Sequence, residues 1–213
     1  MIGDCSADVV SSTVPCSTKW MVGTVNSFYI GIIATVIATA LGTLAALGLS
    51  RPHMPYKGLI MAILISPMIV PLIITAAGMF FFYARINLVY TFTGVILAHV
   101  ALATPFVVIT VTATLVGFDM NMVKAAQSLG AKPMRTFFKV IMPLILPGII
   151  SGALFAFITS FDEVVIVMFM ASIDQLTIPK QMWAGIRQEI SPVILCMATC
   201  LVLLSIILLT TVE

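Results

Sequence analysis

Long apolar runs separated by short polar segments make up most of this chain. The five runs cover about residues 22–49, 58–83, 93–116, 144–171 and 193–212. Each is long enough for a membrane-spanning helix, which needs about 20 residues. The pattern therefore predicts an all-α fold, a polytopic membrane helix bundle with about five transmembrane helices.

The spacing of small residues in the first run predicts how its helix packs. Ala34, Ala38, Gly42 and Ala46 recur at every fourth position, so they lie on one face of a helix. Small side chains on one face allow a second helix to approach closely in a membrane. We expect this helix to lie inside the bundle.

The second run carries two prolines, Pro67 and Pro71, near its middle. Proline removes a backbone donor, and a membrane tolerates this only where protein or water replaces the lost hydrogen bond. Two interpretations follow, a kinked helix beside a translocation path or a kinked helix in ordinary bundle packing.

The fourth run contains two acidic side chains in an otherwise apolar helix, Asp162 and Glu163, just after Ser160. Each carboxylate costs about 2.5 to 3.5 kcal/mol at the centre of a membrane helix, so such residues usually face a bundle interior or an aqueous cavity. The three residues are therefore candidates for a pathway that attracts a cationic solute. The alternative is that they lie near the outer interface, where they cap or brace helices.

Composition supports the membrane assignment, since apolar residues make up 61% of the chain and charged residues 8%. A soluble domain is about one quarter charged. The net charge of +2 is too small to indicate a nucleic-acid partner. If the segments at residues 51–57 and 118–139 lie inside, six Lys and Arg are cytoplasmic and four are outside, in agreement with the positive-inside rule.

The polar segment between the third and fourth runs has the pattern of two short helices around a break. Asn121 is a suitable N-cap, residues 122–129 have helical apolar spacing, and Gly130 follows where a helix end is expected. Pro133 suits the first turn of a second helix, and Pro143 marks the entry into the fourth run.

The same segment resembles the EAA loop of the membrane permease subunits of binding-protein-dependent ABC importers. That loop reads Glu-Ala-Ala, three residues, Gly, nine residues, then Ile-any-Leu-Pro. Both alanines, the glycine and the proline match at the same spacing, whereas Lys124 replaces the acidic residue. The resemblance implies a coupling helix, within a loop at residues 117–143, that sits in a cleft on a cytoplasmic ATPase subunit. The coupling residues that it implies are Asn121, Lys124, Ala125, Ala126, Leu129, Gly130 and Pro143.

Lys124 also departs from what the predicted helix start favours. It follows Asn121 by three positions, where Glu would complete a capping box. A lysine there opposes the helix dipole by about 0.3 to 1 kcal/mol. We expect either a compensating group on the ATPase or weaker coupling.

The end of the fourth run and the segment after it are similar to the second permease of spermidine/putrescine-type importers. The resemblance covers about residues 22–213. It implies a polyamine as the solute, although relatives with this signature also carry amino acids or other small solutes. It further implies a second permease subunit, an ATPase dimer, an extracytoplasmic solute-binding protein and membrane lipid as partners, in a bacterial inner membrane. The matching residues are Ser160 to Glu163, Leu176 to Pro179, Met182 and Trp183, and Arg187 to Pro192.

No motif in the sequence supplies chemistry of its own. No glycine is followed by Lys and then Ser or Thr, so a separate subunit must bind ATP. Neither histidine has a metal-ligand neighbour at useful spacing, so we expect no metal site and no cofactor in this chain. These absences favour a transport subunit that works by alternating access. The alternatives are an intramembrane enzyme that uses Asp162, Glu163 and His99, and a secondary transporter driven by an ion gradient.

Residues 1–19 form a polar leader, which we expect to lie outside the bundle, whereas residues 20–213 form one transmembrane domain. Five spans with the C-terminus inside place the N-terminus outside, yet the leader has no apolar centre that would carry it across. Permeases of this family usually begin inside and have six spans. Our hypothesis is that a sixth, N-terminal span is missing, and an in-frame apolar segment encoded upstream of Met1 would support it.

Overall fold

The computed structural model describes residues 16–51, 54–117, 120–188 and 192–210. Within that part of the chain, all regular structure is helical, with ten α-helices and one π-helical turn at Phe137–Ile141. The helices are α1 Cys16–Leu49, α2 Lys57–Ile69, α3 Leu72–Arg85, α4 Phe92–Val116, α5 Met120–Ser128, α6 Pro133–Thr136, α7 Met142–Phe161, α8 Val165–Met170, α9 Ile178–Gln188 and α10 Pro192–Thr210.

Helices α1, α4 and α7 pack against one another and form the core of the bundle. Ala34, Ala38 and Ala46 on α1 are fully buried, which confirms the predicted small-residue face. Gly42, on the same face, lies so close to α4 that a Cβ atom on it would be 2.6 Å from the Val107 Cβ. The first apolar run is therefore an interior helix, as its spacing predicted.

Helix α7 approaches α4 closely at two glycines. Thr114 fills the space that a Cβ atom would need at Gly148, and Thr110 fills the same space at Gly152. Both hydroxyls donate to carbonyl oxygens one turn earlier in α4. Thr110 donates to the Phe106 carbonyl and Thr114 to the Thr110 carbonyl, and each distance is 3.0 Å. These polar groups are thus satisfied within their own helix, and the two backbones can pack tightly.

The second apolar run forms two helices, so the expectation of a single kinked helix is wrong. α2 and α3 differ in direction by 104°. Val70 between them is extended (φ −72°, ψ 134°), as the residue before a proline prefers. Pro71 has no N–H with which to continue the hydrogen-bond ladder of α2. The helix therefore stops here and restarts in a new direction.

The fourth apolar run is also broken, at a point where we expected a continuous helix. α7 ends at Phe161, Asp162 leaves the helical region (φ −89°, ψ 0°), and α8 begins at Val165. Asp162 and Glu163 therefore lie between two helices, and their prediction inside one helix is wrong. No proline or glycine stands at residues 161–165, so the strongest sequence signals for a helix break are absent here.

Three of the described helical segments, residues 19–49, 92–116 and 133–161, are long and apolar enough to cross a membrane. α2 and α3 make a fourth if the bent pair is one span. α10 has 19 residues, and such a helix is about 28 Å long. The fold is thus an all-α polytopic bundle. α1 includes the last four residues of the predicted leader, 16–19, and residues 1–15 lie outside the described residues.

Candidate functional site

The predicted coupling helix is present as α5, and its end has the geometry that the sequence indicated. Gly130 has a φ of +78°, which favours glycine. Its N–H donates to the Gln127 carbonyl (2.9 Å), and the Ala131 N–H donates to the Ala126 carbonyl (3.0 Å). These two bonds form a Schellman motif, which satisfies carbonyl groups at the helix end. The prediction that Gly130 lies just past a helix end is confirmed.

The start of α5 differs from the prediction. The helix already includes Met120, so Asn121 lies within the helix and the N-cap prediction for Asn121 is wrong. Lys124 is then the fifth residue of the helix or later, beyond the capping-box position. Because the dipole effect falls off within the first turn, the expected penalty at Lys124 is also wrong. Cap residues in sequence locate a helix end only to within one or two positions.

Most of α5 is exposed on this chain. Leu129, just after the helix, is 88% exposed and Met122 is 49% exposed. Lys124 and Ala125 are exposed as well, and Ala126 is half-buried. A short helix that presents apolar side chains beside a lysine has the character of a contact surface.

The chain after α5 continues into a long apolar helical segment without interruption. α6 begins at Pro133, as predicted, and continues through the π-helical turn into α7. In the π turn the Met142 N–H reaches the Phe137 carbonyl, five residues earlier. This wider turn stands directly before Pro143, whose ring and missing N–H would otherwise disturb an α-helical turn. Pro143 therefore lies inside one continuous helical segment, residues 133–161, and does not separate two helices.

The two adjacent carboxylates differ in their surroundings. Glu163 is only 7% exposed, and it lines a cavity of about 350 Å³. Asp162 is exposed and is absent from the cavity wall. The remaining wall is formed by residues 67–72 at the α2–α3 break, Leu102 and Phe106 on α4, and Thr159 on α7. The cavity thus brings together the two breaks in the helices.

Ser160, the third predicted pathway residue, faces α4 instead of the cavity. Its hydroxyl and His99 Nδ1 are 2.8 Å apart in a buried hydrogen bond. His99 is a buried residue of the bundle, since only 1% of it is exposed. It lies seven residues after the start of α4, which corresponds to about 10 Å along a helix. The end of α7 therefore packs beside the first third of α4.

The short helix α8 carries a charged group at each end. The Glu163 Oε1 accepts from the Ile166 N–H (2.9 Å) at its start. At its end, the Lys180 ammonium donates to the carbonyls of Val167 (3.2 Å) and Ala171 (2.9 Å). Both charges complement the helix dipole. Burial lowers the pKa of the Lys180 amine, which is half-buried in this contact. Glu163 therefore also has the capping role that was the alternative interpretation.

A polar contact on α1 that we did not predict holds the segment after α8. The Asn26 side-chain amide donates to the carbonyls of Asp174 (2.8 Å) and Leu176 (3.0 Å). The next residue, Ser27, accepts from the Ile178 N–H (2.9 Å) through its hydroxyl oxygen. Both side chains are buried. We call the pair Asn26 and Ser27 the outer clamp. In the sequence, its only signal was that two adjacent polar residues stand in an apolar run.

Comparison with known proteins adds an independent line of support. Residues 17–212 match the family described as "Binding-protein-dependent transport system inner membrane component". The spermidine/putrescine transport system permease protein PotC of Haemophilus influenzae is 30% identical over 184 residues, which cover 86% of this chain and 72% of that protein. The putrescine transport system permease protein PotI of Escherichia coli is 29% identical over 212 residues, with 91% and 75% covered. Among solved structures, the MetNI methionine ABC transporter in inward-facing conformations has a similar fold, with a TM-score of 0.75 at 17% identity over 94% of this chain and 96% of that one.

Proposed function

This chain belongs to the family of binding-protein-dependent transport system inner membrane components, and we propose that its solute is a polyamine such as putrescine or spermidine. Membership makes it a multi-pass permease subunit of an ABC importer in a bacterial inner membrane, a transport component and not an enzyme. Its system includes an ATPase and a solute-binding protein. The family assignment decides against both the intramembrane enzyme and the ion-gradient-driven transporter.

One observation carries the choice of solute, the buried Glu163 carboxylate in the wall of the cavity. A polyamine has positively charged amino groups joined by methylene chains. A buried carboxylate is costly in a membrane protein and usually marks a functional position. The apolar parts of the wall suit the methylene chain, and the carboxylate suits the charge. The two relatives named for polyamine transport support the same choice.

The proposed coupling follows from the continuity of the chain between α5 and the cavity. α5 docks in a cleft on the ATPase subunit, which binds and hydrolyses ATP, and its exposed residues Met122, Lys124 and Leu129 form the contact. Because residues 133–161 are one helical segment, a movement of the loop moves α7 as well. The α7–α8 break at Glu163 lies at the far end of that segment. ATP-driven closure of the ATPase thus opens the cavity first to one side of the membrane and then to the other.

A second permease subunit completes the proposed pathway. α10 has few contacts with the rest of this chain. Large apolar side chains on it, such as Leu195, Val202 and Ile206, are more than half exposed. Such a surface suits lipid or an apolar helix of another subunit. We therefore place this chain beside a partner permease, with two ATPase copies below them.

The test is transport by the complete complex. The permease is purified with its partner subunits, reconstituted into proteoliposomes with ATP inside, and supplied with its solute-binding protein. We expect ATP-dependent uptake of labelled putrescine or spermidine. Uptake of an amino acid or a sugar, with none of either polyamine, would show that the solute assignment is wrong.

A further inference from the structure

Two broken helices meet at one cavity. Residues 67–72, at the break between α2 and α3, form one part of its wall, and Glu163, at the break between α7 and α8, forms another. Discontinuous membrane helices place helix ends and backbone polar groups at a solute. We propose that this cavity is a solute subsite in which the Glu163 carboxylate and the carbonyl end of α2 bind an ammonium group. This inference rests on the proposed polyamine function, and it names the groups that would bind the polyamine.

The carbonyl end of α2 supplies acceptors because the helix stops at a proline. In a continuous helix the Pro67 carbonyl would accept from the N–H of residue 71, but Pro71 has none. The 104° bend also directs α3 away from the axis of α2. The last carbonyls of a helix have no intrahelical partner and carry its partial negative charge. These oxygens suit a cation that can donate several hydrogen bonds.

The other residues of the cavity wall indicate which class of ligand the cavity can bind. No lysine, arginine or histidine is among the described residues that line the cavity. Leu102, Phe106 and Leu72 contribute apolar surface. The volume of about 350 Å³ is near the lower end for small-molecule pockets, which start at about 300 Å³. The ligand that fits is an ammonium group on an aliphatic chain, and an anionic solute is disfavoured by the carboxylate.

The hydrogen bond that Glu163 accepts at the start of α8 does not by itself require a charge. The Ile166 N–H needs one acceptor oxygen, which the neutral amide of glutamine also provides. A neutral residue would avoid the cost of burying a charge. The carboxylate therefore offers something that this hydrogen bond does not need, a negative charge in the wall of the cavity.

The experiment compares Glu163→Gln with the wild type in the complete reconstituted complex. Glutamine keeps the acceptor for the Ile166 N–H and removes the charge. We expect the initial rate of putrescine uptake to fall about tenfold or more, because a hydrogen bond to a charged group is lost. The melting temperature of the variant complex should equal that of the wild type. In detergent, without binding protein, putrescine should raise the melting temperature of the wild-type complex and not that of the variant.

Asp174→Asn is the matched control, since it removes the charge of an exposed carboxylate that does not line the cavity. Its uptake rate should stay near that of the wild type. Wild-type uptake by Glu163→Gln, or an equal loss in both variants, overturns the subsite and leaves the polyamine function standing. A loss accompanied by a lower melting temperature assigns Glu163 to capping alone and also overturns it. If the wild-type complex transports no polyamine, the proposed function itself fails, and the subsite with it.

Pro71→Ala tests the carbonyl acceptors separately from the charge. Alanine supplies an N–H that can bond to the Pro67 carbonyl and extend α2 by a residue. We expect putrescine to raise the melting temperature of this complex less than that of the wild type. If putrescine raises the melting temperature of the variant and the wild-type complex equally, the α2 carbonyls are not part of the subsite.

Discussion

The absence of a Cβ atom at Gly42 allows α1 to pack closely against α4. A Cβ atom at Gly42 would lie 2.6 Å from the Val107 Cβ and 3.3 Å from the Thr104 carbonyl oxygen. We predict that Gly42→Ala destabilises the complex by about 1 to 3 kcal/mol, as overpacking in a tight contact does. Chemical denaturation of the purified complex measures this.

The control for this prediction is Gly48→Ala on the same helix. Nothing lies within 4 Å of a Cβ atom at Gly48. Both variants gain the same helix propensity, up to about 1 kcal/mol. Gly48→Ala should therefore be neutral or stabilising, and equal stabilities of the two variants would contradict the close contact at Gly42.

Asn26 is the residue on which the order of the outer segment depends. Asn26→Ala removes both donors to the Asp174 and Leu176 carbonyls, in a buried setting. We expect backbone amides in residues 172–181 to exchange with deuterium about tenfold faster, since about 1.4 kcal/mol corresponds to a factor of ten. Hydrogen exchange measured by mass spectrometry reports this.

Thr24→Ala provides the comparison for Asn26. The Thr24 hydroxyl donates only within its own helix, to the Trp20 carbonyl (2.8 Å). Exchange in residues 172–181 should stay at the wild-type rate in this variant. Faster exchange in both variants would mean that α1 as a whole, and not the outer clamp, holds the segment.

At the scale of whole helices, the sequence and the structure agree where the signal is local. The alanine face of α1, the Gly130 helix end and the start of α6 at Pro133 depend on residues within one or two turns. The break after Phe161 depends in addition on residues that lie farther away along the chain. It is held by Glu163, by Lys180 from the next helix, α9, and by the contact of α8 with α3, which is distant in sequence. No pattern in one run of sequence contains those partners.

Local signals also have limited precision at the breaks themselves. Two prolines indicated a distortion at residues 67–71, but its size, 104°, depends on where α3 packs after the break. The same holds for the cavity, whose wall joins residues from four helices and the segment between α7 and α8. Asp162 and Glu163 could be chosen from the sequence as a pair, but only the fold separates an exposed carboxylate from a buried one.

The end of α5 depends on the left-handed backbone conformation of Gly130. Gly130→Ala places a side chain at a φ of +78°, which costs about 1 to 2 kcal/mol for a residue with a Cβ. We predict that ATP-driven uptake falls about fivefold, because a change of this size alters populations by that factor. Gly130→Asn should retain most of the uptake, since asparagine tolerates this conformation. Equal uptake in the wild type and Gly130→Ala would contradict a required geometry at this position.

For the molecule as a whole, the decisive question is which protein surface contacts the exposed helix α5. Lys124 is exposed on this chain and stands where the EAA pattern has an acidic residue. If α5 docks on the ATPase, a lysine there faces a surface that suits a positive charge. Lys124→Glu then places a negative charge against that surface, and like charges in contact are repulsive. We predict that ATP hydrolysis stimulated by the loaded binding protein falls, with unchanged basal hydrolysis by the ATPase.

Lys57→Glu makes the same change of charge at another exposed lysine, in the segment that the positive-inside rule also places in the cytoplasm. It lies outside α5, so stimulated hydrolysis should persist. Because both variants change the net charge equally, a difference between them isolates the contact at α5 from the general charge of the cytoplasmic surface. Equal stimulation in Lys124→Glu and the wild type, with the native ATPase, would mean that Lys124 is not part of the coupling contact, and α5 would then have to act through its apolar residues alone.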